Sequence, residues 1–219
     1  MGRLPDTPLV EKIRSHLEEQ IIAGRLKPRQ RLVEEEIARE MSASRSPVRE
    51  ALRALEREGL VVLTPGRGAR VADLTPEEVD DVYAVRARLG GLLFSLAALH
   101  ITAPTLDRLA QLVTEMERVV VEGDVQRYFL IDLEFEELVM AACRNRKLLA
   151  VWRSLGRSIL RFRYFSLYPP GRLAASLQYH HDLVAALRLR DEASADRLVQ
   201  NAIADAGRAL RDHLRTSLA

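Results

Sequence analysis

SRSPVREALRALEREGL, residues 44–60, opens on a serine and a proline and closes on a glycine, and VVLTPGRGARV follows it to residue 71. Pro47 suits the first turn of a helix, where a missing backbone N–H costs nothing. Behind it Val48, Ala51, Leu52 and Leu55 recur at three- and four-residue steps, the apolar stripe of an amphipathic helix. Arg45, Ser46, Arg49, Arg53 and Arg57 occupy the first turn and the opposite face, and Gly59 takes the C′ position that ends the helix. The β-branched runs on either side of Pro65-Gly66-Arg67-Gly68 predict a hairpin with a basic tip. A short helix with cationic and hydroxyl groups at its start, followed by a basic hairpin, is the arrangement that major-groove readers present to double-stranded DNA.

Upstream, residues 8–23 place Leu9, Ile13, Leu17 and Ile21 four apart, a helix ending at Gly24. Lys27-Pro28-Arg29-Gln30 is a turn, and residues 33–41 are a short acidic helix with Ile37, Ala38 and Met41 inward. Helix, turn, helix, tight turn, helix, hairpin is the winged helix-turn-helix plan. Asp73-Leu74 then leads to Thr75-Pro76-Glu77-Glu78, an N-cap, a first-turn proline and a capping-box acid. The boundary is therefore expected at residue 75, giving a DNA-binding domain over 1–75 and a second domain over 76–219.

The second domain reads as helix throughout. Residues 77–100 carry Val79, Val82, Leu89 and Leu93 inward; further helices are expected over 105–121, 124–143, 147–165, 172–189 and 192–214. Six helices with short connections predict an antiparallel bundle, so the fold class is mainly α with a small β wing.

Bulk properties narrow the function. Net charge is only +2, from 33 basic and 31 acidic residues, so DNA binding rests on where the arginines sit and not on overall charge. The single cysteine, Cys143, rules out an internal disulfide or a thiolate zinc cluster and suits a reducing compartment. With no signal segment and no long apolar run, a cytoplasmic protein without a membrane partner is expected. No nucleophile elbow, phosphate loop, HExxH or paired ExxH motif is present, which argues against an enzyme.

The stretch AGRLKPRQRLVEEEIAREMSASRSPVREALRALEREGLVVLTPGRGARV, residues 23–71, resembles the N-terminal domain of GntR-family bacterial transcription regulators. Leu32, Ile37, Ala38, Arg45, Pro47, Arg49, Leu52, Leu55, Gly59 and Gly68 all fit its pattern, while Arg29 stands where a glycine is usual. By resemblance Arg45, Ser46, Arg49 and Gly66 match DNA-reaching positions; Arg67 and Arg70 suit phosphates. A further contact position falls on Glu35, where an acid cannot serve a phosphate. Arg53 and Arg57 sit near acids and read as a solvated face, whereas Arg45 and Arg49 lack such company.

VYAVRARL, RYFLIDLEFEELVMAACRN and YHHDLVAALRLRDEASADRLV resemble the FCD effector-binding domain of the FadR-like branch, in its six-helix VanR-like form. That resemblance implies a homodimeric, ligand-responsive regulator, a repressor on a palindromic operator, with a small organic acid effector and a divalent metal of the zinc, nickel or manganese class. Its aspartate position is Asp132 and one histidine position is His180, but the other two histidine positions fall on Glu136 and Ala202. Asn201 points about 100° away from Ala202 around the helix. Two readings stay open: a metal held by Asp132, Glu136 and His180, or a pocket that binds its ligand without one. Arg86 matches a cavity-facing arginine that either clamps a carboxylate or pairs with a bundle acid. One of Arg161 and Arg163 is expected to face the pocket, and helical phase alone does not choose between them. A regulator whose helical domain only dimerises, and a metal-dependent helical enzyme on Asp132, Glu136 and His180, are the competing classes.

Overall fold

The computed structural model describes residues 8–73, 75–155 and 158–217, which form two compact units dividing at residues 74 and 75. Leu74, part of the junction expected from sequence, lies outside the described residues.

The first unit runs α1 (Leu9–Ile22), β1 (Arg31–Leu32), α2 (Glu34–Glu40), α3 (Arg45–Arg57), β2 (Val61–Thr64) and β3 (Gly68–Val71). Ile13, Leu17 and Ile21 of α1 bury against Val48, Leu52 and Leu55 of α3, with Leu32, Val61 and Val71 closing the core from the sheet. Leu9, expected on the inward stripe of α1, is exposed instead. The place on α1 that sequence periodicity does not show is Arg14, 5% exposed, whose guanidinium bonds Glu11 at 2.5 Å, Glu18 at 2.8 Å and Glu58 at 3.3 Å. Three carboxylates around one guanidinium tie α1 to the end of α3.

The wing is antiparallel, Val61 opposite Val71 and Thr64 opposite Gly68, and the Arg67 N–H closes its turn on the Thr64 carbonyl at 2.9 Å. Gly66 and Gly68 have φ of +74° and +83°, values an L side chain adopts only with strain. Sequence reasoning did not find β1, a two-residue strand that pairs with β3 and makes the sheet order β1-β3-β2. Arg29, the departure from the usual glycine, takes φ of +65° and donates to Asp73 at 2.5 Å. The turn thus keeps the left-handed geometry a glycine would adopt freely.

The second unit is α4 (Pro76–Ala98), α5 (Ala103–Glu122), α6 (Val125–Ala142), α7 (Arg146–Leu155), α8 (Ser158–Phe165), α9 (Arg172–Arg188) and α10 (Glu192–Ser217). Thr75 caps α4 by accepting the Glu78 N–H at 3.2 Å, as the capping pattern predicts. The helix expected over 147–165 is described as α7 and α8, and Gly156 and Arg157 between them lie outside the described residues.

α4 and α10 form the spine. Asp80 pairs with Arg211, Tyr83 lies over Gly207, and Arg88 bonds Gln200, so the two helices run antiparallel. A Cβ on Gly207 would stand 2.7 Å from the Tyr83 Cγ, and one on Gly90 would stand 2.9 Å from Ile203. Glycine lets these backbones approach closely. Val79, Tyr83, Leu93, Phe94 and Ala97 face the core. Val82 and Leu89, expected inward, are half-exposed, because α4 has a second apolar face described below.

Candidate functional site

The first candidate site is the start of α3 with the wing. Arg45, Ser46 and Arg49 are exposed there, as are Gly66 and Arg67 at the hairpin tip and Arg70 on β3. Ser44 takes the extended N-cap conformation with no side-chain cap bond, and Pro47 falls in the first turn, where its missing N–H costs no helix bond. Arg49 and Arg45 are not without acidic company, contrary to the sequence reading. Arg49 Nε donates to Glu34 at 2.7 Å, and Arg45 pairs with Glu35. The tight turn between α2 and α3 brings the acidic first turn of one helix against the basic first turn of the next, a meeting of residues that sequence spacing does not show. Both pairs are surface pairs, open to exchange with another anion.

The second candidate site is a cavity of about 270 Å³ in the helical unit, lined from α4, α6, α7, α8, α9 and α10. It brings together Arg86, Asp132, Glu136 and His180, four positions singled out from sequence, and Ala202 also lines it. Asp132 and Glu136 stand one turn apart on α6. Arg163 of α8 reaches both: Nη2 donates to Asp132 Oδ2 at 2.7 Å and Nη1 to Glu136 at 3.0 and 3.1 Å. The structure thereby chooses between the two arginines of α8. Arg163 lines the cavity, whereas Arg161 stacks over Phe162 and pairs with Glu78 at 3.4 Å.

His180 packs edge-on to Phe135 and lies 3.1 Å from Asp132 Oδ1 through Nε2. Its Nδ1 donates to the Ser176 carbonyl at 2.7 Å. Glu136 meets Arg86 at 3.4 Å and accepts from Trp152 Nε1 at 3.3 Å, and the Arg86 guanidinium lies 5.5 Å from the Trp152 ring centre. Arg86 is thus the partner of a bundle acid.

The electrostatics follow from burial and these pairs. Burial would raise the Asp132 carboxyl, but the Arg163 charge and the bonds from His180 and Arg163 outweigh it and hold the group well below the usual carboxylate range. Burial would lower Arg163, and the two carboxylates overcome it. Burial, with repulsion from Arg163, lowers Arg86.

A divalent ion does not fit these residues. Among the described residues no three His, Cys, Asp or Glu side chains converge to hold one. The carboxylates of Asp132 and Glu136 turn to Arg163 and not to a common point, and Ala202 offers no donor. The set Asp132, Glu136 and His180 is therefore corrected as a metal site: Asp132 and His180 meet, while Glu136 is held by Arg86, Arg163 and Trp152.

Sequence reasoning missed Arg172, the first residue of α9, which also lines the cavity. Its Nε donates to the Ser166 carbonyl at 3.4 Å, and among the described residues no carboxylate lies within ion-pair distance of it. Burial lowers its pKa, with Asp205 the main opposing charge. Nothing in the Pro169-Pro170-Gly171 break distinguishes Arg172 from a surface arginine.

Both units of the chain are similar to known proteins. A family model described as "Bacterial regulatory proteins, gntR family" matches residues 9–71, and the FCD domain model matches residues 81–216. The HTH-type transcriptional regulator YdhC of Bacillus subtilis is 30% identical over 65% of this chain, and the match spans 64% of that protein, just under two thirds. The HTH-type transcriptional repressor RspR of Escherichia coli is 25% identical over 94% of this chain and 91% of its own. The solved structure of E. coli McbR/YncC superposes with a TM-score of 0.80 at 21% identity, covering 95% of this chain and all of the other, a likeness of fold. No helix of the described residues is long and apolar enough to cross a membrane.

Proposed function

The chain belongs to the gntR family of bacterial regulatory proteins and carries an FCD domain, and on that footing we propose that it acts as a dimeric, cytoplasmic repressor of a two-fold-symmetric operator, released by a small organic acid. It is a transcription regulator and not an enzyme, in keeping with the families and relatives it matches. The observation that carries the DNA reading is the exposed first turn of α3, with Arg45, Ser46 and Arg49 beside the basic wing tip at Gly66 and Arg67. A guanidinium spans guanine O6 and N7 with two donors, a discrimination of about 1–3 kcal/mol or roughly 5- to 150-fold. Gly66 lets the wing backbone approach the duplex, and Arg67 supplies charge to a phosphate.

Support for the dimer is the second face of α4. Val82, Val85, Leu89, Leu92, Leu96 and Leu99 alternate at three- and four-residue steps along it, and Val85, Leu92 and Leu99 are 49%, 45% and 41% exposed. That spacing is a coiled-coil seam, and its match in a dimer is the same seam of a second copy. Two copies present two reading helices, which calls for a two-fold site.

Support for an acid effector is Arg172, a cavity guanidinium with no carboxylate within ion-pair distance among the described residues. A cavity of about 270 Å³ sits just below the usual range for ligand pockets, which suits a small molecule. An acid regulates only if it binds the DNA-competent and incompetent arrangements unequally.

The test is selection of bound duplexes from a random-sequence library by the full-length protein, followed by gel-shift titration. A two-fold-symmetric motif is expected, with affinity for it falling roughly 5- to 150-fold in Arg49→Ala. A library that enriches no motif, or an Arg49→Ala protein that binds the motif like wild type, overturns the reading.

A further inference from the structure

We propose that Arg163 is the resident cation of the cavity, holding with its guanidinium the carboxylates that a divalent ion would otherwise gather, so that the regulator answers a singly charged acid with no metal. The proposal deepens the effector reading and rests on it for its consequence, though not for its test.

The geometry is that of a bridging cation. Asp132 and Glu136 project from successive turns of α6, and the two terminal nitrogens of one planar guanidinium serve one carboxylate each, at 2.7 Å and 3.0 Å. A divalent ion needs donor oxygens turned to a single point at roughly 2.0–2.6 Å. Here the lone pairs that would face it are taken by N–H donors. Arg163 is 7% exposed, and its guanidinium lies 5.8 Å from the Phe129 ring centre, so it arrives at the cavity on a packed stem and not as a loose surface chain. The chain of contacts then passes from Asp132 to His180 of α9, linking α8, α6 and α9 through one charge.

Charge within the cavity follows. Arg86 and Arg163 pair with Asp132 and Glu136, Asp182 and Asp205 also line the cavity, and among the described residues Arg172 has no carboxylate within ion-pair distance. With Arg86 and Arg163 engaged by Asp132 and Glu136, Arg172 is the guanidinium left to meet a single carboxylate on the ligand. Arg172 presents two terminal nitrogens for it in the parallel geometry that carboxylates accept. A divalent ion would instead add charge that invites further anionic groups.

The experiment uses full-length protein stripped with EDTA and then offered zinc, nickel or manganese ions alone. Elemental analysis after gel filtration and the melting temperature are read for wild type, Asp132→Asn and Arg163→Met. Wild type is expected to retain no metal that Asp132→Asn removes, and to melt at the same temperature with and without EDTA. Arg163→Met frees Asp132 beside His180, leaves Glu136 only its contacts at 3.3 and 3.4 Å with Trp152 and Arg86, and is expected to gain a stoichiometric ion, with a rise in melting temperature of roughly 5–10 °C at metal a hundredfold above its Kd. Stoichiometric metal in wild type that Asp132→Asn abolishes overturns the proposal. So does a folded Arg163→Met that takes up no ion. If Arg163→Met does not fold, the wild-type and Asp132→Asn measurements decide alone. A failed operator selection would remove the regulator reading and leave this result standing; a metal-loaded wild type would do the reverse.

Discussion

Arg49 donates from Nε to Glu34 at 2.7 Å, so the arginine we propose as a DNA reader is already held by an acid of the preceding helix. Arg45 is held in the same way by Glu35. These pairs order two long side chains at the face a duplex would meet, and they also set two negative charges close to its phosphates. Which effect governs is decided by exposure: the side chains of Arg49 and Arg45 are more than half exposed, so the pairs are weak and readily exchanged.

Glu34→Gln is therefore expected to tighten DNA binding, by about two- to fivefold at low salt, with the gain shrinking as salt rises. Fluorescence anisotropy on a short duplex, repeated across a salt series, measures it. Weaker binding by Glu34→Gln would mean that Glu34 positions Arg49 and that ordering outweighs repulsion.

Leu92→Glu puts a charge in the middle of the apolar seam of α4 and should leave the protein monomeric. Leu92 is 45% exposed, so the unit itself keeps its core and its helical circular dichroism. Light scattering behind gel filtration reads the outcome, and a variant that stays dimeric would place the interface elsewhere.

Asp132→Asn leaves Arg163 with one carboxylate in place of two and is expected to cost about 2–4 kcal/mol at neutral pH. The pH dependence has a definite sign. The Asp132 pKa is depressed on folding, so its contribution is complete above the unfolded carboxylate value near ~4 and fades as pH falls towards the folded value. Urea melts of wild type and Asp132→Asn at a series of pH values should differ most at neutrality and converge below about pH 4. A gap that stays constant into acid would mean that the carboxylate charge is not what stabilises.

Gly207→Ala tests the approach of α10 to α4. The added methyl would stand 2.7 Å from the Tyr83 Cγ, and Tyr83 is anchored at its far end by donating to the Phe162 carbonyl at 3.1 Å. Alanine favours helix by about 1 kcal/mol over glycine, but overpacking costs about 1–3 kcal/mol and should win. A melting temperature lowered by roughly 2–6 °C is expected; an increase would show that the spine has slack.

The amino-acid sequence by itself determined helix α3, the wing and the helical character of the second unit. Those features are local: Val48, Leu52 and Leu55 recur at the period of α3, Gly59 ends it, and Gly66 and Gly68 supply the turn of the hairpin. It also marked Asp132 and His180, although 48 residues part them, because each carries its own family motif. Only tertiary structure decided what these groups meet. The two arginines of α8 differ by two positions, and Arg163 alone enters the cavity because its helix packs with that side towards α6. Arg172 has no sequence signal, since its role comes from where α9 begins relative to the cavity. The acids facing Arg45 and Arg49 were invisible for the same reason. Periodicity fixes which face of a helix is buried, but a charged side chain takes its meaning from neighbours that distant parts of the chain bring to it.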